Sequence, residues 1–333
     1  MKVLIIGRTE ALFSTAQHLA NQTSHEIAAI ITAKAMPEYK KREDDFRRIA
    51  DTHGAAFHQS QTVDDTVTRL VADTKPDVAV SVNWVSILGK AFIGLFPHGV
   101  LNAHYGDLPR YRGNAVTNWA ILRGETEIVV TVHRMVPGEL DSGDILRQAR
   151  MPLGENTTID DVNRFAQSNV PLMFADVLDG LEAGSLVGKP QPETGLKPFR
   201  CHPRLPRDGR IDWAQPAKAI HALVRSITTP YSGAFTYYRD AHDRLRKLVV
   251  WQSRLVAETT DDVGVPGHVV SNATETGESW VLCGKGILAL TSCSHGDEVP
   301  FAPGTVWQTT RMRLGMDVEE ELFRLVQQSE RGT

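Results

Sequence analysis

The sequence predicts an α/β protein in two parts: a Rossmann-like N-terminal domain with a mostly parallel sheet, and a smaller C-terminal β-barrel of the OB-like kind. Three observations lead there. The chain has 333 residues, and at about 150 residues per domain that length asks for two domains. Residues 1–150 alternate short apolar runs with longer helix-like segments, the rhythm of parallel strands covered by helices. After a proline-rich stretch the pattern changes to short strands separated by turn residues, the spacing of a small barrel.

In the first part the expected strands are Val3 to Ile6, Ile27 to Ile31, Val78 to Val82 and Val100 to Ala103, followed by Val129 to Met135. Their continuous Val/Ile/Ala runs suit strands buried on both faces. Helical spacing falls between them, near Ala11 to Ala20, Lys41 to Thr52 and Val63 to Asp73. Ile159 to Gly184 reads as a further helix, with Ile159, Val162, Phe165 and Ala166 on one stripe, a kink or restart expected at Pro171, and Gly184 as its stop. Lys189 to Arg210 holds five prolines and little periodicity. The expected organisation is therefore a domain over 1–188, a linker over 189–203 and a second domain over 204–333. In that second domain Ala217 to Ile227 predicts a helix. Ala234 to Tyr238, Leu248 to Trp251, Gly267 to Val270, Trp280 to Cys283 and Ile287 to Thr291 predict strands, and Val318 to Gln328 a closing helix. Trp213, Phe235 and Trp251 read as core anchors, and Cys283 as a small core residue.

Charge and cysteines exclude several classes. Thirty-six Lys and Arg against 40 Asp and Glu give a net charge of −4, without the strongly basic footprint of a nucleic-acid binder. Residues 200–250 hold ten Lys/Arg against four Asp/Glu, and residues 251–333 six against twelve. A solvated face neutralised by its neighbour is the favoured reading of that asymmetry over a phosphate-binding patch. Cys201, Cys283 and Cys293 include no C-x-x-C, so neither a disulfide framework nor a structural metal site is indicated. The apolar run after Lys2 is too short for a signal-peptide core, and no stretch nears about 18 apolar residues, so the expectation is a cytoplasmic protein without a membrane partner. Gly7 is followed by Arg8-Thr9-Glu10 instead of a G-x-G-x-x-G loop, which disfavours a dinucleotide cofactor, and the P-loop, zincin and G-x-S-x-G motifs are absent.

What chemistry remains lies at strand ends. Asn102 and His104 close the run beginning at Val100, where open α/β sheets bind their ligands. Two residues apart on a strand, they project from the same face. Asp141 follows the next strand across a Pro137-Gly138 turn. An amide, an imidazole and a carboxylate at adjacent strand ends fit acyl-type transfer: the imidazole takes the nucleophile's proton, the amide stabilises the oxyanion and the carboxylate supports the ring. From spacing alone, an Asn-x-His pair more often serves strand-end hydrogen bonding.

The wider context is more specific. Asn102-Ala103-His104 continues into Leu108-Pro109-Arg110-Tyr111-Arg112-Gly113 and Asn118-Trp119-Ala120-Ile121, then Asp141-Ser142-Gly143-Asp144. Ile211-Asp212-Trp213, Arg225 and Pro230-Tyr231-Ser232-Gly233-Ala234-Phe235 follow in the second part. Over most of its length this resembles the formyltransferase family that uses 10-formyltetrahydrofolate. The resemblance implies Asn102, His104 and Asp141 as the catalytic set. It implies 10-formyltetrahydrofolate as donor, no metal, and a folate pocket whose pterin is held largely by backbone near Trp84, Ser86, Ile87 and Leu88 and by the loop from Val136 through Leu140 to Asp141.

Within that family, Gly124-Glu125-Thr126-Glu127 and Val132-His133-Arg134-Met135-Val136 look closest to the domain acting on UDP-4-amino-4-deoxy-L-arabinose and to sugar N-formyltransferases generally. The implied acceptor is a nucleotide-linked amino sugar, with Arg110, Tyr111 and Arg112 as candidate contacts; the two arginines could equally hold their loop to the scaffold. Methionyl-tRNA formyltransferase is the related alternative. It typically carries Ser-Leu-Leu-Pro where this chain has Tyr105-Gly106-Asp107-Leu108-Pro109, and a basic, Gly-containing insertion where Lys34 to Arg48 has six basic and four acidic residues and no Gly. A hydroxyornithine formyltransferase, a formyltetrahydrofolate hydrolase and a folate-binding module complete the alternatives, and a homodimer is left open. His133 reads as a strand residue with its hydrogen bonds satisfied and no assigned task.

Overall fold

A computed structural model describes residues 1–307, 309–316 and 318–331. The chain divides into two compact units. The first comprises Met1–Ala120, Glu125–Gly154 and Asp160–Arg204; the second comprises Leu205–Thr333 with the short segments Ile121–Gly124 and Glu155–Ile159. Gln308, Asp317, Gly332 and Thr333, part of the expected second domain, lie outside the described residues.

In the first unit β1 (Lys2–Gly7), α1 (Glu10–Gln22), β2 (Glu26–Thr32), α2 (Glu43–His53), β3 (Ala56–Gln59), α3 (Asp65–Thr74), β4 (Val78–Val82), α4 (Lys90–Ile93) and β5 (Val100–His104) follow in order. Then come β6 (Tyr111–Gly113), α5 (Val116–Leu122), β7 (Glu127–Arg134), β8 (Ile145–Pro152), α6 (Ile159–Glu182) and β9 (Phe199–Cys201). Seven strands form one sheet in the order β3-β2-β1-β4-β5-β7-β8. The first five are parallel, and β7 and β8 join antiparallel. Alternation along β1 explains the unbroken apolar run. Val3 and Ile5 enter one core with Leu12, Leu19 and Phe174, while Leu4 and Ile6 enter the opposite core with Val67, Leu88 and Phe92. Thr9 starts α1 by accepting the Leu12 N–H at 3.3 Å, and Asp64 starts α3 by accepting that of Val67 at 2.9 Å.

Several features of this unit depart from the sequence expectation. β3 and β8 were not anticipated, because both are edge strands without an apolar run: Ala56-Phe57-His58-Gln59 is only partly buried, and β8 carries Arg147, Gln148 and Arg150. α6 passes through Pro171 without a break. Proline inside a helix costs about 3 kcal/mol, and the core shared by Ala166 and Val170 before it and Met173, Phe174, Val177 and Leu178 after it offsets that cost. Residues 189–203, expected as a linker, are structured. Lys189 exchanges two backbone hydrogen bonds with Ile145, at 2.8 and 2.9 Å, and β9 pairs in parallel with β6.

The second unit contains α7 (Ala217–Ile227), β10 (Ala234–Arg239), β11 (Leu245–Ala257), β12 (Val269–Ala273), β13 (Glu278–Leu282), β14 (Ile287–Ser294), α8 (Pro303–Val306) and α9 (Val318–Arg331). Its antiparallel sheet runs β10-β11-β14-β13-β12. Met312 to Gly315 bridges the two edges: Val269 donates to the Met312 carbonyl at 3.0 Å, and Gly315 donates to that of Tyr237 at 2.8 Å. Trp213 is a core anchor as expected, its Nε1–H donating to Thr236 Oγ1 at 3.0 Å. Phe235 and Trp251 are not. Alternation along β10 turns Ala234, Thr236 and Tyr238 inward and leaves Phe235 half-buried, and Trp251 is half-buried likewise. The basic stretch is partly neutralised, with Arg239 held by Glu321 at 2.7 Å and Arg244 by Asp240 at 2.8 Å. No helix among the described residues is long and apolar enough to cross a membrane.

Candidate active site

Strand β5 ends at its last residue, His104, beside the C-terminal end of β4. The antiparallel pairing of β5 with β7 sets Asn102 directly opposite His133 and His104 opposite Thr131. Asp141 comes from the loop after β7 and has a left-handed backbone, φ +49°, which Asp tolerates better than most residues. The loop is pinned by Gln191, whose Nε2 donates to the carbonyls of Asp141 and Gly143, both at 2.8 Å.

These supports bring four side chains together. One Asp141 oxygen, Oδ2, accepts the Gly113 N–H at 2.9 Å and faces His104 Nδ1 at 3.6 Å. The other, Oδ1, faces His133 Nε2 at 3.6 Å. Asn102 Nδ2 lies 3.2 Å from that same His133 Nε2. His104 is buried, with Nε2 2.6 Å from the Tyr111 carbonyl oxygen. That oxygen can only accept, so Nε2 carries the hydrogen, and in the neutral ring the lone pair belongs to Nδ1. The ring is thus anchored by a backbone carbonyl, and Asp141 acts on it through space. Gly106 permits this: a Cβ there would stand 2.4 Å from the Tyr111 oxygen and 2.6 Å from His104 Nε2. Thr131 secures Gly106 by donating to its carbonyl at 2.7 Å.

The electrostatics separate the acid from the base. Burial lowers the His104 pKa below the usual imidazole value, outweighing the pull of Asp141. Burial alone would raise Asp141, but the attraction of His104 and His133 in their protonated forms, with the Gly113 N–H, holds it at about 2. At neutral pH the pair is an ionised carboxylate beside a neutral imidazole. That imidazole can accept a proton, and the carboxylate stabilises the cation that results.

The residues expected around this set are placed unevenly. Ile87 is 68% exposed, Ser86 and Leu140 are exposed, and Val136 is half-buried. Leu88 is 1% exposed with its side chain in the core, which leaves its backbone for the expected contact. Trp84 Nε1 and Ser142 Oγ are buried polar atoms without hydrogen-bond partners among the described residues, a state usually explained by a ligand or water. Arg110 is already compensated: Glu125 lies 2.7 Å and Asp107 3.6 Å from its guanidinium. Tyr111 is 2% exposed, its hydroxyl donating to Glu125 at 2.7 Å. Arg112 meets the neutral Gln191 amide oxygen at 2.5 Å, and its charge lies close enough to act on His104. Sequence reasoning missed His133, Gln191, Thr131 and the Tyr111 carbonyl. Only strand register reveals the first, and the second lay in the presumed linker.

Comparison with known proteins places this geometry in context. Residues 1–178 match the sequence profile of the family described as formyl transferase, and residues 205–310 match that of the formyl transferase C-terminal domain. Among solved structures, the N-formyltransferase of Helicobacter canadensis, in complex with folinic acid and dTDP-3-aminofucose, superposes with a TM-score of 0.60 at 16% identity, over 87% of this chain and 98% of that one. A 4-N formyltransferase from Francisella tularensis gives 0.54 at 17% identity, over 73% and 94%. HypX from Aquifex aeolicus, in complex with tetrahydrofolic acid, gives 0.57 at 15% identity over 93% of this chain. It matches over 47% of its own length, so the present chain spans about half of HypX. At such identities these are likenesses of fold.

Proposed function

The chain belongs to the formyl transferase family, and from that premise we propose that it transfers a formyl group from 10-formyltetrahydrofolate to the primary amine of a small molecule, a nucleotide-linked amino sugar. The observation that carries this reading is the convergence of Asn102, His104 and Asp141, with an ionised carboxylate facing a buried neutral imidazole.

As the amine adds to the formyl carbon, His104 Nδ1 takes its proton, directly or through one water. The Nδ1–H so formed faces Asp141 Oδ2, which favours the cation. Asn102 donates an N–H to the formyl oxygen as that oxygen becomes negative, an interaction strongest in the transition state. When the tetrahedral adduct collapses, the bond from the formyl carbon to N10 of the folate breaks and the proton taken by His104 passes to that nitrogen, so tetrahydrofolate leaves neutral and the imidazole is restored. Donor and acceptor meet chain groups that have capacity left. The unpartnered Trp84 Nε1–H and Ser142 Oγ suit the polar edge of a pterin, and the exposed Ile87 and Leu140 suit its faces. For the acceptor's diphosphate Arg112 is the better candidate, because Arg110 already has two carboxylates. The dTDP-amino sugar held by the Helicobacter canadensis protein supports that class of acceptor.

Steady-state assays with 10-formyltetrahydrofolate against UDP-, dTDP- and GDP-linked amino sugars, hydroxyornithine, methionyl-tRNA and water alone test the assignment. Turnover with an amino-sugar nucleotide at least tenfold above every other acceptor is expected. Preferred transfer to methionyl-tRNA or hydroxyornithine overturns the acceptor class, and hydrolysis without transfer overturns the reaction.

A further inference from the structure

His133 is buried, 1% exposed, on the strand beside the catalytic set. Its Nδ1 lies 2.8 Å from the carbonyl oxygen of Arg134, which can only accept, so Nδ1 carries the ring hydrogen. In the neutral ring the Nε2 lone pair is then directed at Asn102 Nδ2, 3.2 Å away. The amide can offer that lone pair only an N–H; its oxygen would repel it. The imidazole therefore determines which end of the Asn102 amide faces it, and with one N–H so held the second stays available for an oxyanion.

We propose that His133 is a positioning residue: its Nδ1–H tautomer, locked by the Arg134 carbonyl, keeps the Asn102 amide nitrogen turned for oxyanion stabilisation. Asp141 Oδ1, at 3.6 Å from the same Nε2, is the competing partner, to which only a hydrogen on Nε2 would turn. Protonated at Nε2, the ring would donate to that carboxylate and no longer accept from Asn102. The register makes the device possible, since Asn102 and His133 are directly opposed in the β5/β7 pair. This inference rests on the formyl-transfer reading for its kinetic consequence and on the structure alone for its tautomer.

Two measurements test it. The first is a double-mutant cycle in formyl transfer. His133→Phe keeps the ring shape without an acceptor and should lower kcat about 10- to 100-fold, part of the loss typical of a deleted oxyanion donor, with little change in KM. His133→Gln, whose side-chain oxygen reaches the place of Nε2, should recover most of that loss. In an Asn102→Ala background His133→Phe should cost almost nothing further. His133→Leu provides the same cycle if the Phe variant does not fold. The second measurement is the tautomer itself, read from long-range 1H–15N correlations of the imidazole nitrogens, which needs no turnover. A hydrogen on Nδ1, with the Nε2 resonance moving in Asn102→Ala, is expected. A hydrogen on Nε2 overturns the proposal whether or not the protein transfers formyl groups. An additive cycle in an active parent overturns it and leaves the formyl-transfer reading standing.

Discussion

His104 Nδ1 stands 3.6 Å from Asp141 Oδ2 while Nε2 of the same ring is committed to the Tyr111 carbonyl at 2.6 Å. The backbone thus sets the orientation of the base, and the carboxylate sets its charge preference. A carboxylate too far for a direct hydrogen bond stabilises the imidazolium by attraction, which in a buried site is screened far less than in water. The two contributions can therefore be removed separately.

Asp141→Asn removes the charge and keeps the shape. Asp141 raises the His104 pKa, so in this variant the acid limb of kcat/KM should move to lower pH while the plateau falls. Stability follows with a defined sign. Asp141 sits at about 2 in the folded chain, against roughly 3.9 unfolded. Its contribution, on the order of 2 kcal/mol, is fully present above about pH 4 and is lost as pH falls through about 2. His104 is also depressed, so stability falls further as pH drops below roughly 6.5, where the unfolded imidazole protonates first. Denaturant melts from pH 7 to 3 should show that the gap between parent and variant does not narrow above about pH 4 and narrows below it. A gap independent of pH contradicts an ionised Asp141.

Gly106→Ala separates position from charge. A Cβ 2.6 Å from His104 Nε2 must displace the ring or the Tyr111 carbonyl. Misplacing a reacting group by about 1 Å can cost about 100-fold, so kcat should fall by at least about tenfold in a protein whose circular dichroism is unchanged. Full activity in Gly106→Ala would show that the Tyr111 anchor is dispensable.

Neutralising Arg244, Arg246 and Lys247 together separates the small acceptor from tRNA. Arg244 is paired with Asp240, Lys247 lies over the Phe235 ring at 4.5 Å, and the half-buried Arg246 acts on Tyr238 and His295, so the change touches none of the residues of the candidate site. Turnover on an amino-sugar nucleotide should stay within about threefold of the parent. Raising salt from about 50 to 200 mM should shift the acceptor KM by less than about tenfold, whereas six phosphate contacts would shift it about a thousandfold. A steep salt slope abolished by the triple variant would identify a nucleic-acid acceptor.

Legibility in the sequence followed local physics. β1 and β4 were readable because burial on both faces demands unbroken apolar runs, and α7 because its apolar spacing runs cleanly from Ala217 to Ile227. β3 and β8 were not, since an edge strand needs no such run. Asn102 and His104 were readable as a pair because strand geometry places residues two apart on one face. The place of His133 opposite Asn102 depends on the register between strands 31 residues apart, which no local pattern encodes. Gln191 was hidden for a similar reason. It anchors the Asp141 loop from a segment whose prolines suggested a passive connector.

The central claim is that Asn102 and His104 act on a formyl group passing from a folate to an amine. The most direct measurement is a single-turnover reaction of enzyme with 10-formyltetrahydrofolate and an amino-sugar nucleotide, with the N-formylated product and tetrahydrofolate quantified together. Equal amounts of the two products are expected in the parent. Asn102→Ala should react about 100- to 1000-fold more slowly and His104→Ala about 100- to 10,000-fold more slowly, with folate binding retained in both. Tetrahydrofolate released without formylated product, or either variant reacting at the parental rate while properly folded, would contradict it.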